Sequence, residues 1–231
     1  MERLHGGYTL DICPGGFPLS TDSMALAGFV RLPKNARVLD LGSGCGTLGL
    51  LLCAQDPGCQ VTGIELNPAA HACACRNIEA NGLESRLHSI CGDLRELSLV
   101  ESGSFHCCVS NPPYFSGGPL SCTVPAARRD DLCSSDNLFR TASRALRYGG
   151  DFFLVHRPEK LAELCACGAQ YNLEAKRLQL LRHKEGGPVS LILLQLRKGG
   201  KPGLQWEEVC LHHADGTPTE YYRKIYHLKE A

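Results

Sequence analysis

Residues 36–54 read Ala36-Arg37-Val38-Leu39-Asp40-Leu41-Gly42-Ser43-Gly44-Cys45-Gly46-Thr47-Leu48-Gly49-Leu50-Leu51-Leu52-Cys53-Ala54, and this stretch decides the fold. An apolar run of strand length follows Pro33, a loop with three glycines comes next, and an apolar helical segment begins at Leu48. Strand, glycine loop and helix make the first turn of a doubly wound α/β sheet. Glycine lets backbone approach a ligand closely, and the unpaired amides of a helix start favour an anionic group.

The rest of the chain continues that rhythm. A second strand over 60–65 ends at Glu65, whose carboxylate can accept from both hydroxyls of a ribose. A helix over 68–81 is closed by Asn81-Gly82. A third strand near 87–91 leads to Gly92-Asp93-Leu94, and a fourth near 105–110, with Cys107-Cys108-Val109 inside it, leads to Asn111-Pro112-Pro113-Tyr114. Two prolines cannot continue a central strand, and Asn111 before a proline is pushed to an extended conformation. The stiff end presents an amide, an unpaired carbonyl and an aromatic face, a trio that suits a flat, amine-bearing group.

Downstream, 116–135 reads as a loop carrying Arg128 and Arg129, and a helix from about 134 to 147 stops at Tyr148-Gly149-Gly150. A fifth strand covers 151–156, and a helix from Pro158 to Cys167 is ended by Gly168. Strands over 175–181 and 189–197, joined by Gly186-Gly187-Pro188, form an antiparallel pair. Upstream, Ser20, Thr21 and Asp22 cap a helix through Val30, and 16–22 forms a lid or an edge of a ligand site. The expected architecture is a mostly parallel, seven-stranded α/β sheet with a C-terminal antiparallel strand pair. It forms a single domain: arm, lid and opening helix over 1–35, a core over 36–198, and a polar, irregular tail over 199–231.

The totals bound the function. Of the 231 residues 43% are apolar, enough for a large core, and Lys+Arg balances Asp+Glu at 24 each. A neutral chain lacks the bulk attraction of a strongly basic nucleic-acid binder, which leaves RNA binding to a local patch. The first residues form no apolar signal core, and no apolar run nears the ~20 residues of a membrane span, so a cytoplasmic protein with no membrane contact is expected. The fourteen cysteines are then mostly thiols. Cys73 and Cys75 near His71 lie two apart on a helix and face different ways, so they read as small hydrophobes, and no metal is expected.

Gly44-x-Gly46-x-x-Gly49 also fits the dinucleotide fingerprint, so the glycines alone leave a nicotinamide and an S-adenosylmethionine cofactor both open. Asp40 distinguishes them. Its carboxylate repels a pyrophosphate, but can bind the ammonium of a methionine moiety, directly or through water, while the glycine amides take the carboxylate. The 111–114 tetrad, moreover, has no role in hydride transfer.

The run Val38–Gly46 resembles the cofactor motif of class I S-adenosylmethionine-dependent methyltransferases, with their Rossmann-like fold, and Asn111-Pro112-Pro113-Tyr114 resembles their amino-group methylation motif, used on adenine N6, guanine N2 or glutamine amide. Gly16-Phe17-Pro18-Leu19-Ser20-Thr21-Asp22, Phe115, Ala127-Arg128 and Asp215-Gly216-Thr217-x-Thr219-Glu220 extend the likeness over nearly the whole chain. They are similar to the bacterial tRNA (adenine-N6) methyltransferases that modify the adenine 3′ of the anticodon in a valine tRNA.

The resemblance implies roles. Asn111, Pro112 and Tyr114 would be catalytic, Asn111 Oδ1 and the Pro112 carbonyl accepting the amine hydrogens and Tyr114 stacking on the base. Asp40, Gly42, Gly44 and Gly46 would hold the methionine end of the cofactor and Glu65 and Leu66 its ribose. Asp93 and Leu94 would hold its adenine, with Thr21 covering the cofactor and Asn111 touching it as well as the substrate, while Pro113, Phe115 and Arg128 would contact a tRNA substrate. A protein-glutamine methyltransferase ranks lower, because only about 35 residues precede the first strand where those enzymes carry a helical domain. The intact tetrad argues against a silent S-adenosylmethionine-binding scaffold.

Overall fold

The computed structural model describes residues 1–113 and 135–228. Its strands are β1 (Glu2–Arg3), β2 (Thr9–Leu10), β3 (Arg37–Leu41), β4 (Gln60–Glu65), β5 (Leu87–Cys91), β6 (Phe105–Ser110), β7 (Leu146–His156), β8 (Leu173–Lys184), β9 (Val189–Lys198) and β10 (Gln205–His212). Its helices are α1 (Thr21–Phe29), α2 (Thr47–Gln55), α3 (Pro68–Ala80), α4 (Ser135–Ala145), α5 (Leu161–Gln170) and α6 (Glu220–Ile225).

β3 lies between β4 and β6, parallel to both, and β5 and β7 extend the sheet in parallel beyond them. The chain thus winds outward through β3, β4 and β5 in one direction and through β6 and β7 in the other. Strand order reverses between β3 and β6, and in such sheets ligands gather at the C-terminal strand ends beside the reversal. Side chains alternate between the two faces. Val38, Cys107, Val109 and Phe153 meet α1, α2 and α3, whereas Leu39, Cys108, Phe152 and Leu154 meet α4 and α5. Adjacent Cys107 and Cys108 therefore fill opposite cores, as small hydrophobes do.

β9 runs antiparallel to β7 and β8, so the hairpin around Gly186-Gly187-Pro188 forms, but as part of the main sheet. Two expectations need correction. The sheet has eight strands, because β10, from the stretch read as an irregular tail, pairs parallel with β8. The antiparallel pair that stands apart is N-terminal, β1 with β2. β10 begins with exposed Gln205, Trp206, Glu207 and Glu208, so it has no apolar alternation to betray it; polar residues on an edge strand discourage pairing with other chains. Trp206 is 65% exposed. Thr219 then caps α6, accepting from Tyr222 N at 3.2 Å and donating to Cys210 O at 2.6 Å.

Two glycine readings also change. The helix expected to reach Arg147 ends at Ala145, and Gly149 (φ 76°) sits in β7 next to a register shift against β6. Gly168 lies inside α5, where a Cβ would come within 2.5 Å of Leu196 Cδ2, so it serves close packing rather than termination. Among the described residues no helix is long and apolar enough to cross a membrane.

Candidate functional site

A cavity of about 710 Å³ opens over the C-terminal ends of β3, β4 and β6, at the reversal of strand order. Its lining includes Asp40, Gly42, Gly44, Glu65, Leu66, Asp93, Leu94, Asn111, Pro112 and Pro113. Residues remote in sequence, from the ends of β3, β4, β5 and β6, are thereby brought to one space.

The glycine loop leaves β3 through Gly42, Gly44 and Gly46, all at positive φ. Gly42 N and Ser43 N donate to Ile64 O at 3.0 and 3.1 Å, Gly46 N to Ser43 O at 2.9 Å, and Gly44 N to Glu65 Oε2 at 2.7 Å. Most of these bonds tie the loop to the end of β4. α2 starts just after Gly46 without a side-chain cap, and the amides of such a first turn are free of helical partners. Gly46 caps α2 and does not line the cavity.

Glu65 also accepts Asn67 N at 2.7 Å through Oε1. Each of its oxygens carries a second lone pair, so the carboxylate is held in place and still has acceptor capacity for two hydroxyls. Asp93 is gripped by Arg95 at 2.6 and 2.8 Å, and this guanidinium holds its carboxyl below the ordinary range.

Asp40 is the anomaly. It is 2% exposed, and its Oδ1 has no hydrogen-bond partner among the described residues; Ser43 Oγ beside it has none either. Burial first, and the charge of Glu65 second, push the Asp40 carboxyl up to about 8. An orphaned buried carboxyl is costly unless a cation meets it. The ammonium of a methionine moiety is such a cation, and the carboxylates of Asp40, Glu65 and Asp93 as acceptors suit a ligand with an amine, a diol and an amino-purine.

Asn111 is aimed by two serines. Ser110 Oγ, fully buried, donates to Leu41 O at 2.8 Å and ties the end of β6 to the end of β3. Asn111 Nδ2 donates to Ser23 Oγ of α1 at 3.1 Å, which fixes the orientation of the amide. Sequence reading missed both serines, since neither belongs to a motif. Ser23→Ala is expected to lower kcat about tenfold, the cost of one hydrogen bond of ~1–1.5 kcal/mol, with cofactor affinity unchanged and Ser23→Thr restoring most of the rate. An equal loss of cofactor affinity would refute this.

Other expected residues are placed differently. Thr21 does not line the cavity; its hydroxyl lies 3.0 Å from Tyr226 Oη. Its neighbours Ser20, Asp22 and Ser23 do, with Gly16, Phe17 and Pro18 of the arm, and Phe17 is 78% exposed at the rim. The arm is clamped by two asparagines of α3 and its C-cap. Asn81 exchanges hydrogen bonds with the Thr9 backbone at 2.8 Å each, and Asn77 does so with Asp11 at 2.9 Å each while also donating to Cys45 O in the glycine loop. Tyr114, Phe115, Arg128 and Arg129 lie outside the described residues. Among the described residues no group of three His, Cys, Asp or Glu side chains is arranged to hold a metal.

Comparison with known proteins agrees with this geometry. A family profile described as "Methyltransferase small domain" matches residues 21–165. A protein of Shewanella halifaxensis named tRNA1(Val) (adenine(37)-N6)-methyltransferase is 34% identical over 175 residues, 74% of this chain and 70% of its own length. A protein of Photobacterium profundum with the same name is 28% identical over 85% of each chain. Among solved structures, a predicted O-methyltransferase from Agrobacterium tumefaciens shares the fold with a TM-score of 0.75 at 22% identity, covering 90% of this chain and 96% of that one. The T. thermophilus 16S rRNA N2 G1207 methyltransferase, solved with AdoMet and guanosine, gives 0.62 at 26% identity, over 85% of this chain and 49% of that one.

Proposed function

The chain belongs to the methyltransferase small domain family, and from that premise we propose that it transfers a methyl group from S-adenosylmethionine to N6 of an adenine in tRNA, the adenine 3′ of the anticodon. One observation carries the reading: the unpartnered, buried Asp40 and the Asn111-Pro112-Pro113 strand end face one cavity at the sheet's switch point. The names of the relatives supply the RNA and the position within it.

When bound, S-adenosylmethionine supplies an electrophilic methyl on a sulfonium sulfur. Asp40 meets its ammonium, Glu65 its ribose hydroxyls, and Asp93 and Leu94 its adenine. Adenine's exocyclic nitrogen is a poor nucleophile because its lone pair is delocalised into the ring. Asn111 Oδ1 and the Pro112 carbonyl accept its two hydrogens, which turns the lone pair out of the ring plane and stabilises the positive charge that grows on nitrogen. Tyr114 stacks on the base, and a gain of ~1–3 kcal/mol per stacked base offsets the few kcal/mol needed to extrude it. No strong base is required: an alkylated anilinium-like nitrogen is acidic and yields its proton to water. Pro113, Phe115 and Arg128 border the nucleotide. The twelve described cysteines are all free, in keeping with a reducing, cytoplasmic setting.

The test is incubation of tRNA from a strain lacking this modification with methyl-labelled cofactor. N6-methyladenine at a single position of the valine tRNA is the expected product. Label in a protein glutamine would transfer the activity to another substrate class, and absence of transfer would end the reading.

A further inference from the structure

A second cavity, of about 480 Å³, opens at the opposite end of the sheet. His106 on its wall and Asn111 in the first cavity stand at the two ends of β6, five residues or roughly 17 Å of extended chain apart. Five cations line it: Arg31, Arg147, Lys176, Arg177 and Arg197. One lining carboxylate opposes them, Asp151, and it is already spent on Arg197 through bonds of 2.8 and 2.9 Å. Four positive charges therefore converge without an ion-pair partner among the described residues, in a chain whose formal net charge is zero.

Two of these cations, Lys176 and Arg177, are half-buried and held in place, while Arg31 and Arg147 are exposed at the mouth. The Arg177 guanidinium lies 4.2 Å from the centroid of the Phe29 ring and donates to Gln195 Oε1 at 3.1 Å. Burial, and Arg31 nearby, draw it below the ordinary guanidinium range, although Glu207 and Asp151 work against that. Lys176 Nζ donates to Lys201 O at 2.9 Å and keeps two further donors. His106 Nδ1 accepts Arg37 N at 3.0 Å, which leaves the ring proton on Nε2 as a neutral donor. Like charges crowded at a half-buried wall repel one another, and an anion between them relieves that cost.

We propose that this cleft binds a compact polyphosphate anion, held by Arg31, Arg147, Lys176 and Arg177. Guanidinium forks match phosphate oxygens bidentately, and four cations suit a group of three or four negative charges better than a monoanion. The volume lies within the range of small-ligand cavities, ~300–1,000 Å³. A phosphodiester of bound RNA offers the same chemistry, but the cleft faces away from the cavity where a target base would enter.

The experiment is a calorimetric titration of the full chain with tripolyphosphate, against sulfate at equal ionic strength. One tripolyphosphate per chain, bound at least tenfold more tightly than sulfate, is expected. The double variant R31Q/R147Q should weaken it at least tenfold; both side chains are exposed, so the fold is retained. Affinity for an anticodon stem-loop RNA should stay within twofold in that variant. Tripolyphosphate binding no tighter than sulfate, or unchanged in the variant, overturns the proposal. So does a variant that loses RNA affinity, which would give the cleft to the RNA backbone.

Discussion

Asn111→Ala is expected to lower kcat by about 10²–10³-fold, the range for removing one group that stabilises developing charge. Cofactor affinity should remain within severalfold. The separation follows from placement: Asn111 leaves β6 on the wall of the cavity, whereas the carboxylates that suit the cofactor come from β3, β4 and the turn after β5. The side chain is held by Ser23, which fixes its orientation before the substrate arrives. Alanine removes the Oδ1 acceptor and leaves Ser23 Oγ without its donor. Single-turnover methylation of tRNA gives the rate, calorimetry gives the cofactor affinity, and a thermal midpoint separates chemistry from folding. A variant that turns over near the normal rate would remove Asn111 from the mechanism.

Asp40→Asn should weaken S-adenosylmethionine binding by about 10²–10⁴-fold, because deleting one partner of a buried charge pair costs ~3–5 kcal/mol. The pH dependence makes this prediction specific. In the cofactor-free protein burial pushes the Asp40 carboxyl up to about 8, so at pH 7 it is mostly protonated. A cation binds the ionised form and displaces that proton. Affinity should therefore rise about tenfold per unit as pH climbs from 6 toward 8 and stop rising once Asp40 is ionised unaided. The Asn variant should lose that limb, and calorimetry in buffers of different ionisation heat should find a proton released at pH 7 by the wild type alone. The same shift fixes the sign for stability. Between the ordinary carboxylate range and about 8 the folded state holds a proton that the unfolded chain has lost, so the cofactor-free protein is destabilised as pH rises through that window. Asp40→Asn should unfold at a higher temperature than the wild type at pH 8 while binding cofactor worse. A flat affinity profile in the wild type would defeat the assignment of Asp40.

Much of the α/β frame was legible because it is written locally. The apolar run at 37–41, three glycines and an apolar helix announce themselves within twenty residues, and the β4 ending at Glu65 and the β6 ending at Asn111 repeat the pattern. β10 was missed because an edge strand that opens on exposed Gln205–Glu208 takes its structure from the β8 ladder, not from burial. Gly149 and Gly168 were misread as stops because a glycine permits a turn, a bulge or a close contact alike, and only the neighbouring backbone selects among them.

Residue type and short-range periodicity thus determined the strand–loop–helix frame and the identity of the carboxylates and amide at the strand ends, since each depends on neighbours within a turn or two of chain. The three-dimensional packing alone decided which groups are spent and which remain available. The loop amides are consumed by Ile64 and Glu65, Thr21 is turned to Tyr226, Ser23 takes hold of Asn111, and Asp40 is left buried and alone. Those outcomes hang on partners some twenty to two hundred residues away, and hydrogen-bond geometry and solvent exclusion have no counterpart in the order of letters.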